Sequence, residues 1–171
     1  MAHDTSRSHF VRGNFTQVDE PLRPPWAIPE LQFIDACDRC GDCVSACPQK
    51  IINPGPGQYP IVDFTHQGCD FCGECVQVCK PGALKSDDLD VDQAWSVVAQ
   101  FEAGCLSLNG IVCRACSDIC EPRAIRFSLM PGGKAEPQLE PEECTGCGEC
   151  LAVCPVKTIT FSNKYVRDQV A

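Results

Sequence analysis

An α+β chain built from two tandem small units is the fold class the sequence predicts, with short strands and helices packed around sites held by cysteine. Three observations carry that expectation. Sixteen of the 171 residues are cysteine, and they fall into four groups of four. The groups repeat in two pairs, with Cys43 to Cys75 a step of 32 residues and Cys116 to Cys150 a step of 34. Within each pair of groups only short extended runs and glycine- and proline-containing turns lie between the cysteines.

The apolar fraction of 44% counts those cysteines, so few aliphatic side chains remain to build a core. A chain this lean needs covalent or metal staples to stay folded. Dense cysteine points either to a secreted disulfide scaffold or to metal sites. Residues 1–17 are polar, without an apolar run of signal-peptide length, and no stretch nears the roughly 18 apolar residues of a membrane span. The expectation is a reducing, cytoplasmic setting in which paired cysteines bind metal. A net charge of −9 opposes nucleic acid as a partner, because phosphates are recognised by Lys and Arg. The acidity serves solubility, and it also suits a basic patch on a partner protein.

The spacing within the groups names the chemistry. Cys37, Cys40, Cys43 and Cys47 are followed by Pro48; Cys69, Cys72, Cys75 and Cys79 by Lys80-Pro81. Cys105, Cys113, Cys116 and Cys120 precede Glu121-Pro122, and Cys144, Cys147, Cys150 and Cys154 precede Pro155. The first, second and fourth groups have the C-x2-C-x2-C-x3-C spacing of bacterial 4Fe–4S sites. Three thiolates at i, i+3 and i+6 on a looping backbone reach three irons of one cubane, and soft sulfur suits iron–sulfur chemistry. The fourth cysteine points away, and the nearby proline redirects the chain. Structural zinc sites instead pair two short knuckles across a loop, and disulfides between neighbours this close would strain or scramble. The third group departs from the pattern, with seven residues between Cys105 and Cys113. Asn109-Gly110 in that insert predicts a hairpin returning Cys113 to Cys105. The other reading leaves Cys105 a bystander and the protein with three clusters rather than four.

Five residues past every fourth cysteine stands an apolar residue: Ile52, Leu84, Ile125 and Ile159. The units span 33–86 and 104–163, with short strands expected at Tyr59–Phe64, Ile125–Met130, around Gln138-Leu139, and at Thr158–Phe161. Pro131-Gly132-Gly133 reads as a turn. Between the units, residues 87–103 are predicted to be a linker helix, with Ala94, Val97, Val98 and Phe101 on one face and Trp95 packing beside it. Residues 1–32 read as an N-terminal arm carrying Arg7, Arg12, Arg23 and Trp26; it either docks a partner or is pinned onto the first unit by Trp26. Residues 164–171 form a tail. No histidine lies within a cysteine group, and His66 reads as a surface residue. Gly41, Gly73, Gly146 and Gly148 sit inside the knuckles, where they allow tight turns and close approach of amides to sulfur. No nucleophile–base pair, P-loop or dinucleotide fingerprint is present, so no catalytic residues and no enzyme activity are expected.

The seven-residue gap, the stretch Ser6-Arg7-Ser8-His9-Phe10-Val11-Arg12-Gly13 and the Arg23-Pro24-Pro25-Trp26 segment together resemble the NapF ferredoxin-type proteins, encoded with periplasmic nitrate reductase. The resemblance spans nearly the whole chain. It implies two tandem ferredoxin-like dicluster units and a cytoplasmic accessory protein that binds the catalytic molybdenum subunit of the reductase and helps it mature before export. The electron donor is not implied. Serine at position 8 breaks the arginine pair of an export signal. By ferredoxin logic the ligands cross: Cys37, Cys40 and Cys43 with Cys79, and Cys69, Cys72 and Cys75 with Cys47. In the second unit Cys105, Cys113 and Cys116 go with Cys154, and Cys144, Cys147 and Cys150 with Cys120. Grouping each motif with itself is the alternative. So is a different task, either as a dedicated electron carrier or as an electron-transfer subunit of another oxidoreductase complex.

Overall fold

Short helices recur at every cysteine group of the structure, a computed structural model that describes residues 21–163. α1 (Glu30–Ala36) runs into the first group. α2 (Asp42–Ala46), α3 (Glu74–Gln77), α4 (Ala115–Ile119) and α5 (Glu149–Ala152) each carry the third cysteine of a group. Three of them start on a glycine with left-handed backbone, Gly41 (φ 80°), Gly73 (φ 76°) and Gly148 (φ 84°), a conformation costly to residues with a Cβ. An acid follows in the first turn, where helix amides are unpaired. Three residues past each fourth cysteine the chain turns left-handed again, at Lys50, Gly82, Arg123 and Lys157. Two residues later Ile52, Leu84, Ile125 and Ile159 are all buried. The same turn therefore delivers the same inward apolar residue four times.

Among the described residues the strands form three antiparallel pairs. β1 (Ile52–Pro54) pairs with β2 (Pro60–Val62), and β4 (Ile125–Met130) with β5 (Lys134–Leu139). β3 (Val97–Phe101) pairs with β6 (Ile159–Asn163). In the first unit a single bridge, Ala27↔Leu84, stands where the second unit has the β3–β6 ladder. No helix among the described residues is long and apolar enough to cross a membrane.

The helix expected over 87–103 does not form. That stretch holds one 3-10 turn, Val91–Gln93, capped by the Asp90 carboxylate, and then strand β3. Val97 and Val98 are β-branched, and the strand Ile159–Asn163 offers an edge that takes the ladder from Val97↔Asn163 to Phe101↔Ile159. Tertiary pairing overrides the local helical period, and the segment closes the second unit instead of spacing two units apart. Trp95 does pack: its ring lies 5.6 Å from Phe64 and 5.8 Å from Phe71, and its indole N–H donates to the Arg23 carbonyl at 2.9 Å.

The arm also differs from the docking reading wherever it is described. Residues 1–20, with Arg7 and Arg12, and the tail 164–171 lie outside the described residues. Residues 22–28, however, belong to the first unit. Val62 donates its amide to the Leu22 carbonyl, Lys85 to Trp26, and Trp26 to Ala94. Pro24 and Pro25 are fully buried, and Trp26 is 4% exposed. Arg23 pairs with Glu30 at 2.6 Å and lies 5.0 Å over the Phe33 ring. With so few aliphatic residues available, the unit bridges this segment to Leu84 through Ala27 and uses Trp26 as core, which leaves the Trp26 side chain no face for a partner.

Candidate metal centres

Four pockets are each lined by four cysteines, and in every case the four come from two groups. The first holds Cys37, Cys40, Cys43 and Cys79 beside Phe33, Ala83 and Leu84. The second holds Cys47, Cys69, Cys72 and Cys75 under Pro25, Trp26, Ile51 and Ile52. Cys120, Cys144, Cys147 and Cys150 line the third with Ala99, Ile125 and Phe161. Cys105, Cys113, Cys116 and Cys154 line the fourth with Phe101, Phe127 and Ile159. The crossing follows from the helices. The third cysteine starts a short helix facing its own pocket, and the fourth leaves that helix toward the neighbouring one. α2 packs on α3, and α4 on α5, so adjacent pockets share a wall.

Cys105 reaches its pocket by a route the sequence did not predict. The insert forms no β-hairpin. Residues 106–110 make a helical turn closed by a left-handed glycine: Ile111 donates to the Leu106 carbonyl at 3.0 Å, Gly110 to Ser107 at 3.2 Å, and Gly110 has φ 81°. The Asn109 side-chain amide donates to the Ala103 and Cys105 carbonyls.

The electrostatics of the thiols bear on what the pockets can hold. Burial, followed by the charge of neighbouring cysteines, pushes Cys43 and Cys116 up to about 11. The same causes push Cys69, Cys75 and Cys150 up to about 12. The neighbours responsible include those of the crossed set, Cys79 for Cys43 and Cys47 for Cys69. Thiolates crowded this way are stable only with cations among them, and a coordinating thiol gives up its proton outright. Backbone amides help. Phe71, at φ 57°, donates to Cys69 Sγ at 3.4 Å, and Leu84 donates to Cys79 Sγ at 3.3 Å. Burial raises Cys154, yet the amides of Thr158, Val156 and Lys157 more than offset it and hold this thiol below its ordinary value. All sixteen cysteines are free, and among the described residues no three His, Cys, Asp or Glu converge on a single-ion site. The sulfurs instead stand around pockets with apolar walls and amide donors. That donor set fits a cubane cluster.

Several contributing residues escaped the sequence reading. Gly68 and Phe64 press against the 147–149 loop of the other unit, and Lys157 donates to the Thr65 carbonyl at 2.9 Å. Nothing local marks them, because their partners lie about eighty to ninety residues away in sequence.

A family described as a 4Fe-4S dicluster domain matches residues 25–84, and a second family of that description matches residues 111–158. The second match begins after Cys105. The chain is 39% identical over 160 residues to the ferredoxin-type protein NapF of Escherichia coli, covering 94% of this chain and 96% of that one. It is 39% identical over 168 residues to NapF of Haemophilus influenzae, covering 92% and 93%. The methylamine utilization ferredoxin-type protein MauM of Methylophilus methylotrophus is 34% identical over 149 residues, covering 78% of this chain and 66% of that one. Two tandem dicluster domains are thus the architecture of this iron–sulfur protein.

Proposed function

Because the chain belongs to the NapF family of ferredoxin-type proteins, we propose that it is a one-electron carrier and accessory protein whose four crossed cysteine sets each hold a 4Fe–4S cluster. The observation that carries the reading is the sorting of sixteen cysteines into four pockets of four. A bound cluster supplies reversible one-electron chemistry without breaking bonds to substrate. The protein's own residues do the rest. Trp26, Ile51 and Ile52 wall the second pocket from water. The amides at Cys69, Cys79 and Cys154 stabilise negative sulfur, which favours the reduced state and tunes the potential. Cys40 and Cys72 are exposed, which leaves the first two pockets open to an electron donor or acceptor.

The client follows from the resemblance. We assign it as the catalytic molybdenum subunit of periplasmic nitrate reductase, met in the cytoplasm and assisted in maturation before export. The chain itself has no catalytic role. Calorimetric titration of anaerobic protein with the precursor of that subunit tests the assignment. Binding that weakens as salt rises is expected for a protein of charge −9; no binding at any salt refutes the client. A second reading, a general carrier for another oxidoreductase, is favoured by one observation: the similar MauM chain is named for methylamine utilization.

A further inference from the structure

The two units meet along a seam that joins the second and third pockets directly. The Cys69 amide donates to the Cys147 carbonyl at 2.7 Å, a hydrogen bond between a cysteine of one pocket and a cysteine of the other. Gly68 lies so close that a Cβ there would come 2.7 Å from Glu149 N and 2.8 Å from the Cys147 carbonyl oxygen. Phe64 covers Gly148, where a Cβ would stand 2.3 Å from its ring, and its ring also lies 5.4 Å from Phe161. Lys157 ties the outer edge, donating to Thr65, Leu151 and Ala152 carbonyls. Within each unit the pockets already adjoin, because α2 packs on α3 and α4 on α5.

We propose that this seam is an electron path, so that the four sites form one continuous relay rather than two separate dicluster carriers. The order is first, second, third, fourth pocket, with Gly68 as the positioning residue that permits the central contact. The inference rests on the iron–sulfur reading above. The route runs along Sγ, Cβ, Cα and N of Cys69, across the hydrogen bond, and along O, C, Cα, Cβ and Sγ of Cys147. One electron passes. A cluster held by Cys47, Cys69, Cys72 and Cys75 would lose the one electron that a cluster held by Cys120, Cys144, Cys147 and Cys150 would gain, and no bond or proton would change place. A chain serving only as two separate carriers needs no cysteine-to-cysteine hydrogen bond between its units. Gly68 has no left-handed φ, and the three atoms nearest to an alanine Cβ there all belong to the opposite unit.

The test uses the full anaerobic protein and the Gly68→Ala variant. Iron and sulfide are measured first, then the electron paramagnetic resonance spectrum of the fully reduced chain. The expected result is unchanged iron, with loss in the variant of the part of the spin–spin broadening that links the two units. Superimposable spectra at equal iron content overturn the proposal. If the variant sheds iron, hydrogen exchange in the wild-type protein decides. The Cys69 amide should exchange on the order of 100-fold slower than an exposed amide, and exchange at the exposed rate overturns the seam. Wild-type protein without iron or sulfide refutes the iron–sulfur reading itself, a result distinct from either of these.

Discussion

Replacing Trp26 separates a core residue from a docking anchor. The side chain is 4% exposed, its indole N–H donates to the Asp90 carbonyl at 2.8 Å, and its ring meets Phe71 edge-on at 6.2 Å. It also lines the second pocket. Truncation of a buried Trp to Ala costs about 3–5 kcal/mol. Trp26→Phe keeps most of the packing and drops the hydrogen bond, for about 1 kcal/mol. Both variants retain a Cβ at φ 58°, so backbone strain cancels. In a unit of this size 1 kcal/mol shifts the midpoint of thermal unfolding by roughly 4–8 °C. Trp26→Ala should therefore fall by more than about 12 °C on that scale, and Trp26→Phe by several degrees. Cluster release makes unfolding irreversible, so the variants are compared by loss of visible cluster absorbance at one scan rate. An unchanged midpoint for Trp26→Ala, with intact iron, would refute the placement of this residue in the core.

Crossed ligation is open to spectroscopy. Cys79→Ser should perturb the same signal as Cys37→Ser, and Cys47→Ser the signal shared by Cys69. If Cys79→Ser instead tracks Cys69→Ser, the crossing is wrong. Acid should release the Arg23–Glu30 pair. The hydrogen bond from Arg23 holds the Glu30 carboxyl below its ordinary value, so its contribution is complete above that value and disappears as pH falls through the depressed one. The stability gap between wild type and Glu30→Gln, about 1 kcal/mol near neutrality, should shrink on acidification; a gap that does not shrink as pH falls below the ordinary carboxylate range contradicts the pairing. Asn109→Ala removes two hydrogen bonds that fix the Cys105 loop, and it should speed chelator-driven iron loss from one site of four. Uniform loss from all sites, or none, contradicts that role.

The parts of the molecule that were readable in the sequence are those written in local spacing. The cysteine groups, the apolar residue five places on and the glycines at helix starts each depend on a few adjacent residues, and Ile125–Met130 alternates clearly enough to be read as a strand. Segment 97–101 was not readable. Its apolar period fits a helix, and only the edge of Ile159–Asn163, about sixty residues later, makes it a strand. Trp26 carried two meanings for a similar reason, since its partners Asp90 and Ala94 lie far along the chain. The Cys105 loop was foreseen to return and does, although Gly110 closes a helical turn instead of a hairpin. The seam at Gly68 and Lys157 left no local trace at all.

Iron and acid-labile sulfide counted per chain in anaerobically purified or reconstituted protein test the central claim most directly. Four cubane sites call for about sixteen of each, with the visible absorption of 4Fe–4S clusters. A protein that takes up zinc, holds no sulfide and keeps its fold would contradict it.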